Sequence, residues 1–194
     1  MPLILDLTAP VFLLLFCAGC AIGWLLWARK RWHIRAWVIP LFVLQALVVA
    51  KLTLFPITIF DSETLAKIRK DAGEYFLFYQ AVPFASIVNY FRSGAMIQLL
   101  GNLLLFAPMA VFVEIFLRQR PRAWKVVLGV SALSFGIELL QLAINLLTGH
   151  PSRVADVDDL ILNIAGIALS VAFARCVSKI QRLRPFLRKV LYRA

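Results

Sequence analysis

The chain has 194 residues, is 62% hydrophobic, and carries a formal charge of +11 with a mean hydropathy of +0.85. That balance excludes a soluble globular domain. The basic residues fall in short connections and at the carboxyl end, so the charge is a topology signal and not a nucleic-acid footprint.

Residues 1 to 10 lack the positive stretch that opens a cleaved signal peptide, and the first apolar run, about 11–27, is therefore a retained span. Within it Gly19 and Gly23 are four apart, a spacing that lets another helix backbone approach closely. Cys17, Cys20 and Cys176 all lie in or beside apolar runs and found neither a disulfide framework nor a zinc site. Arg29, Lys30, Arg31 and Arg35 follow the first span. A second span covers about 37–57, with Pro40 as its start signal and Lys51 inside it.

The segment 61–95 is too polar to cross a bilayer and too aromatic for a free loop. Ser62 is the expected cap of a short helix that stops at Gly73. Beyond it Tyr75, Phe76, Phe78, Tyr79 and Phe84 gather around Pro83, an aromatic composition suited to the headgroup level. A third span covers about 97–117, kinked by Pro108. Glu114 and Arg118 stand four apart at its inner end, in the favourable order for an ion pair. The fourth span covers about 126–147 and the fifth about 157–177. His150, in the turn between them, reads as an exposed loop histidine with an ordinary titration near neutral pH. The tail, 179–194, alternates apolar and basic residues as an amphipathic helix on an anionic cytoplasmic leaflet does.

The fold class expected is all-α, a polytopic membrane bundle of about five helices. Lys and Arg decide its orientation: fifteen lie in the loops at 28–36 and 118–125 and in the tail from Arg175, against five in 58–96 and 148–156. The amino terminus is thereby placed outside and the carboxyl terminus in the cytoplasm.

Polar residues then meet at one level. At about 1.5 Å per residue, Lys51, Asn102, Glu138, Gln141 and Asn163 lie about 8–14 Å from the outer ends of their helices. On the fourth span Ser134, Glu138, Gln141 and Asn145 form a continuous stripe, at steps of four, three and four. At the start of the fifth, Asp156, Asp159 and Asn163 share a face. Charged groups at membrane depth face protein or a wet cavity, so both stripes should turn toward each other and toward Lys51 and Asn102. Asp158, on another face, is expected only to complement its own helix dipole.

Five blocks in order resemble the VanZ-like family of bacterial membrane proteins, named for a member associated with teicoplanin resistance. They are LTLFP at 52–56, VPF at 82–84, GNLLLFAP at 101–108, IELLQ at 137–141 and RVADVDDLILNIAG at 153–166. Ala110 stands where the family has a glycine, and Gln80 where it usually has an asparagine. The resemblance implies a multi-pass protein of the bacterial plasma membrane and supplies no reaction.

Three readings follow. In an enzyme acting at the outer leaflet on an amphiphile, such as a lipid-linked glycan, a phospholipid or a lipoglycopeptide, Glu138, Asp159 and Asp156 handle protons. Arg153 pairs with a phosphate or carboxylate, and Asn102, Gln141, Asn163 and Lys51 orient the substrate. The same carboxylates with Asn163 would also suit a divalent cation, since hard ions take oxygen ligands. A binding protein would use these residues to hold a membrane lipid, glycoconjugate or antibiotic without chemistry. A scaffold would use them to pin helices together for envelope assembly. Substrate, metal and oligomeric state stay open.

Overall fold

The computed structural model describes residues 2–28, 33–116, 121–177 and 179. Its long helices are α1 (Ala9–Ala28), α2 (His33–Thr53), α7 (Ala123–Thr148) and α8 (Val157–Val177). The third span is divided into α5 (Met96–Leu105) and α6 (Ala107–Phe116). Between α2 and α5 lie the short helices α3 (Ser62–Ala72) and α4 (Ala85–Ser93). Two minimal ladders tie the connections at one end of the bundle: β1 (Leu3–Leu5) runs antiparallel to β2 (Ile57–Ile59), and β3 (Tyr79–Gln80) parallel to β4 (Ala155–Asp156).

The protein is an all-α bundle. α1, α5 with α6, α7 and α8 are each long and apolar enough to cross a membrane, and α2 contains the shorter apolar helix Val38–Thr53. Helices are the natural solution here, because hydrocarbon offers no partner to an unpaired backbone group. The expected second span, 37–57, ends early. Helix α2 stops at Thr53, and residues 57–59 turn back as β2; Pro40 lies inside the helix and not at its start. The basic tail beyond Lys179, residues 29–32 of the first basic loop and residues 117–120, Arg118 among them, lie outside the described residues.

Glycines decide which helices touch. A Cβ on Gly19 would stand 2.8 Å from the Val43 side chain, so the small residue is what seats α1 against α2. On α8 the approach is tighter still: a Cβ on Gly166 would stand 1.7 Å from the Leu103 carbonyl oxygen of α5. Helix α8 is the hub, packing on α5, α6 and α7.

The expected kink at Pro108 is a break at Phe106. Proline has no N–H for the Leu104 carbonyl and crowds the preceding turn. At the break the neighbouring Leu105 carbonyl accepts from Gln45 Nε2 of α2 at 2.6 Å. Below the break lies the apolar core, where Phe106, Met109 and Ala110 pack with Val49, Val126, Val130, Ile167 and Val171. Beneath that core Glu114, 2% exposed, accepts from Arg175 at 2.8 Å. This pair joins α6 to α8; the Arg118 expected beside Glu114 lies outside the described residues.

At the other end α3 is capped by Asp61, whose Oδ1 accepts from Thr64 N, and not by Ser62; Gly73 ends the helix with φ +52°. The aromatic segment divides. Phe76 and Phe78 stack edge to face, and His150 packs edge-on against Phe60 at 4.8 Å. Tyr75, Tyr79 and Phe84 instead stay largely exposed. His150 is therefore no free loop residue, and its burial lowers the imidazole pKa.

Candidate functional site

The polar layer stands directly above the apolar core, built from α5, α7 and α8 and roofed by α4. Both expected stripes do face one another. The short connection folds α8 back antiparallel along α7, and Glu138 Oε2 accepts the backbone N–H of Asp156 at 3.0 Å. One turn deeper on both helices, Asn163 Nδ2 donates to Ser134 Oγ at 2.9 Å. From α5, Asn102 Nδ2 donates to Asp159 Oδ1. Glu138, Asp156 and Asp159 are near enough for their charges to act on one another. Glu138 and Asp159 are half-buried, while Asn163 and Ser134 are sealed.

The rest of the α7 stripe also points inward. Gln141 Nε2 donates 2.8 Å to the Thr53 carbonyl at the end of α2. Asn145, 1% exposed, donates to the carbonyls of Phe78 and Arg153, and so holds two loops over the helix ends. Gln141 and Asn145 are thus fastenings of the site's rim, with Glu138 the member of the stripe turned to the acids.

Two expected cations are not in the site. Lys51 pairs with Asp6, which links the segment before α1 to α2. Its hydrogen bond to Asp6 is the main reason that carboxyl titrates below its ordinary range. Arg153 is exposed and donates to the Phe55 carbonyl at 3.1 Å. Each is satisfied by a loop partner that hydropathy cannot foresee. Asn163 turns to Ser134, Asp156 is occupied as described below, and among the described residues no three His, Cys, Asp or Glu side chains are placed to share an ion.

Asp158 has a larger role than its own helix dipole. It is fully buried, and its carboxylate accepts from the backbone N–H groups of Phe84 at 2.5 Å, Ser86 at 2.8 Å and Ile87 at 3.1 Å. These are the opening N–H groups of α4, which has no side-chain cap of its own. An anion here satisfies orphan donors and complements the positive end of the helix. Phe84 takes a left-handed φ of +67° to make the entry turn. Asp156 completes the dock: Oδ1 accepts from Asp158 N, and Oδ2 from Ser86 Oγ at 2.5 Å. Pairing of β3 with β4 brings the two segments into register.

One residue of the site was not foreseen, Tyr90, one turn beyond Ser86 on α4. Burial, then the charges of Asp159, Asp156 and Asp158, push its phenol up to about 12, so the hydroxyl stays protonated beside the acids. A 3.6-residue reading of ASIVNYFRS would have put Ser86 and Tyr90 on one face, but no signal in the sequence ties that face to α8.

A family model described as VanZ/LLP1 matches residues 42–178, well over half of the chain. No curated protein and no solved structure matches.

Proposed function

The chain belongs to the VanZ/LLP1 family of membrane proteins, and on that premise we propose that it binds or processes an amphiphilic envelope molecule at a polar site in the outer half of the bilayer. Lipid-linked glycans, phospholipids and lipoglycopeptides such as teicoplanin are the molecules that combine a chain for the hydrocarbon with a polar head for this layer. The observation that carries the reading is the convergence of Glu138, Asp159 and Asn102 from α7, α8 and α5. Charged groups at membrane depth are costly, and a bundle held only by packing has no use for them half-exposed.

In this reading Glu138 and Asp159 exchange protons with the head group or hold its donors. Asn102 orients Asp159, and Tyr90 covers the acids from α4. Arg153 and Lys51 shape the outer loops and leave the head group alone. Fifteen Lys and Arg in the connections and tail on one side, against five on the other, support a layer in the outer leaflet, with the amino terminus outside and the basic tail on the cytoplasmic leaflet.

The test is the lipid that accompanies the protein through purification. Wild type in mild detergent should carry a defined amphiphile, identified by mass spectrometry, and E138Q/D159N should lose it while keeping its helical content and melting temperature. An accompanying lipid unchanged in the variant, or no bound lipid beyond bulk phospholipid, refutes the proposal.

A further inference from the structure

Hydrogen-bonding capacity in the polar layer is unevenly spent. Asn102 gives Nδ2 to Asp159, Asn163 gives Nδ2 to Ser134, and Gln141 gives Nε2 to the Thr53 carbonyl. Lys51 and Arg153 are engaged in the outer loops. The oxygens are left over. Glu138 is engaged through Oε2 and Asp159 through Oδ1, which leaves Glu138 Oε1 and Asp159 Oδ2 without a donor among the described residues.

A second, independent observation points the same way. Asn163 is 2% exposed and its Oδ1 has no partner; Gln141, 7% exposed, leaves Oε1 unpaired as well. Asn163 lies one turn below Asp159 on the same face of α8, and its partner Ser134 lies one turn from Glu138, so this orphan acceptor sits beneath the two carboxylates. A buried acceptor without a donor costs about 1–3 kcal/mol. Neighbouring carboxylates add mutual repulsion. The hydroxyls of Tyr90 and Ser134 bring one proton each, and neither brings charge.

Resting on the reading of the previous subsection, we propose that the head group this site takes is an amine. The ammonium of a long-chain amphiphile sits between Glu138 Oε1 and Asp159 Oδ2, over Asn163 Oδ1, and the chain passes between α5 and α7. An ammonium supplies three N–H donors and the missing positive charge together. Phosphate supplies acceptors and negative charge, and meets only acids here.

The experiment uses the full chain in phosphatidylcholine nanodiscs with two photoreactive probes, diazirine-bearing hexadecylamine and diazirine-bearing hexadecyl phosphate. The amine should label the peptides of α5 and α7 at least about tenfold above the phosphate, and E138Q/D159N should reduce that labelling by about tenfold or more, as loss of a partner from a desolvated charge pair does. D159N alone repeats the test in a milder form, because the amide oxygen still accepts from Asn102. Amine labelling that ignores these substitutions, or that falls elsewhere on the chain, overturns the assignment. Labelling of α5 and α7 by the phosphate instead, lost in D159N, overturns the head group and leaves the site standing. Labelling of those peptides by neither probe, in protein that also carries no defined amphiphile through purification, overturns both.

Discussion

The contact between Gly166 and the Leu103 carbonyl makes a sharp prediction about G166A. The new Cβ would stand 1.7 Å from that oxygen and 2.7 Å from its carbon, where ordinary contact begins at 3.4 Å. Helix α5 must therefore retreat from α8 by roughly 1.7 Å, and no rotamer relieves the clash, because the obstructing atoms are backbone. Overpacking costs about 1–3 kcal/mol, and a helical carbonyl cannot give way alone, so we place G166A at about 3 kcal/mol destabilised. Gly136 is the internal control: nothing lies within 4 Å of its Cβ position. G136A should be neutral, or stabilised by up to about 1 kcal/mol, since alanine suits a helix interior better than glycine. Unfolding in dodecylmaltoside, followed by circular dichroism against guanidinium, separates the two. The retreat has a functional consequence as well. Leu103 adjoins Asn102, and a hydrogen bond does not survive displacement much beyond about 3.2 Å, so G166A should also lose the amphiphile that accompanies wild type. Equal stability of G166A and G136A would refute the close approach and the placement of α5 built on it.

Three further outcomes follow from single contacts. D158A strips three N–H groups of α4 of their acceptor, each worth about 1–3 kcal/mol if left buried; amide hydrogen exchange at Phe84, Ser86 and Ile87 should accelerate while α7 stays protected. E114Q removes the charge of a buried carboxylate that Arg175 donates to, a change worth up to about 3–5 kcal/mol, whereas the double variant E114L/R175L should regain most of that in thermal unfolding. Asp6 titrates below its ordinary value of 3.8 through its bond to Lys51, so its contribution is present above that value and is lost as the pH falls through the lowered one. Protection of Leu3–Leu5, measured against the intrinsic exchange rate, should therefore fall with acid below about pH 3.8 in wild type, and D6N should abolish that fall.

Much of this protein could be read from residue order alone, because hydropathy and helical period are local quantities. Runs of apolar residues marked the spans, and steps of three and four put Ser134, Glu138, Gln141 and Asn145 on one face and Asp159 with Asn163 on another. Lipid penalises both patterns unless they meet, so their convergence was legible before any coordinates. The partners were not. Lys51 with Asp6, Arg153 with the Phe55 carbonyl and Glu114 with Arg175 join residues 45, 98 and 61 positions apart, and periodicity says which way a side chain points without saying what stands opposite. Asp158 shows the difference most clearly. Its position at a helix start suggested service to that helix, yet it caps α4, because pairing of β3 with β4 carries the α4 entry turn to its carboxylate. The same tertiary event brought Tyr90 toward the acids, while Lys51 and Arg153 found their partners in the loops, contacts that only the folded chain displays.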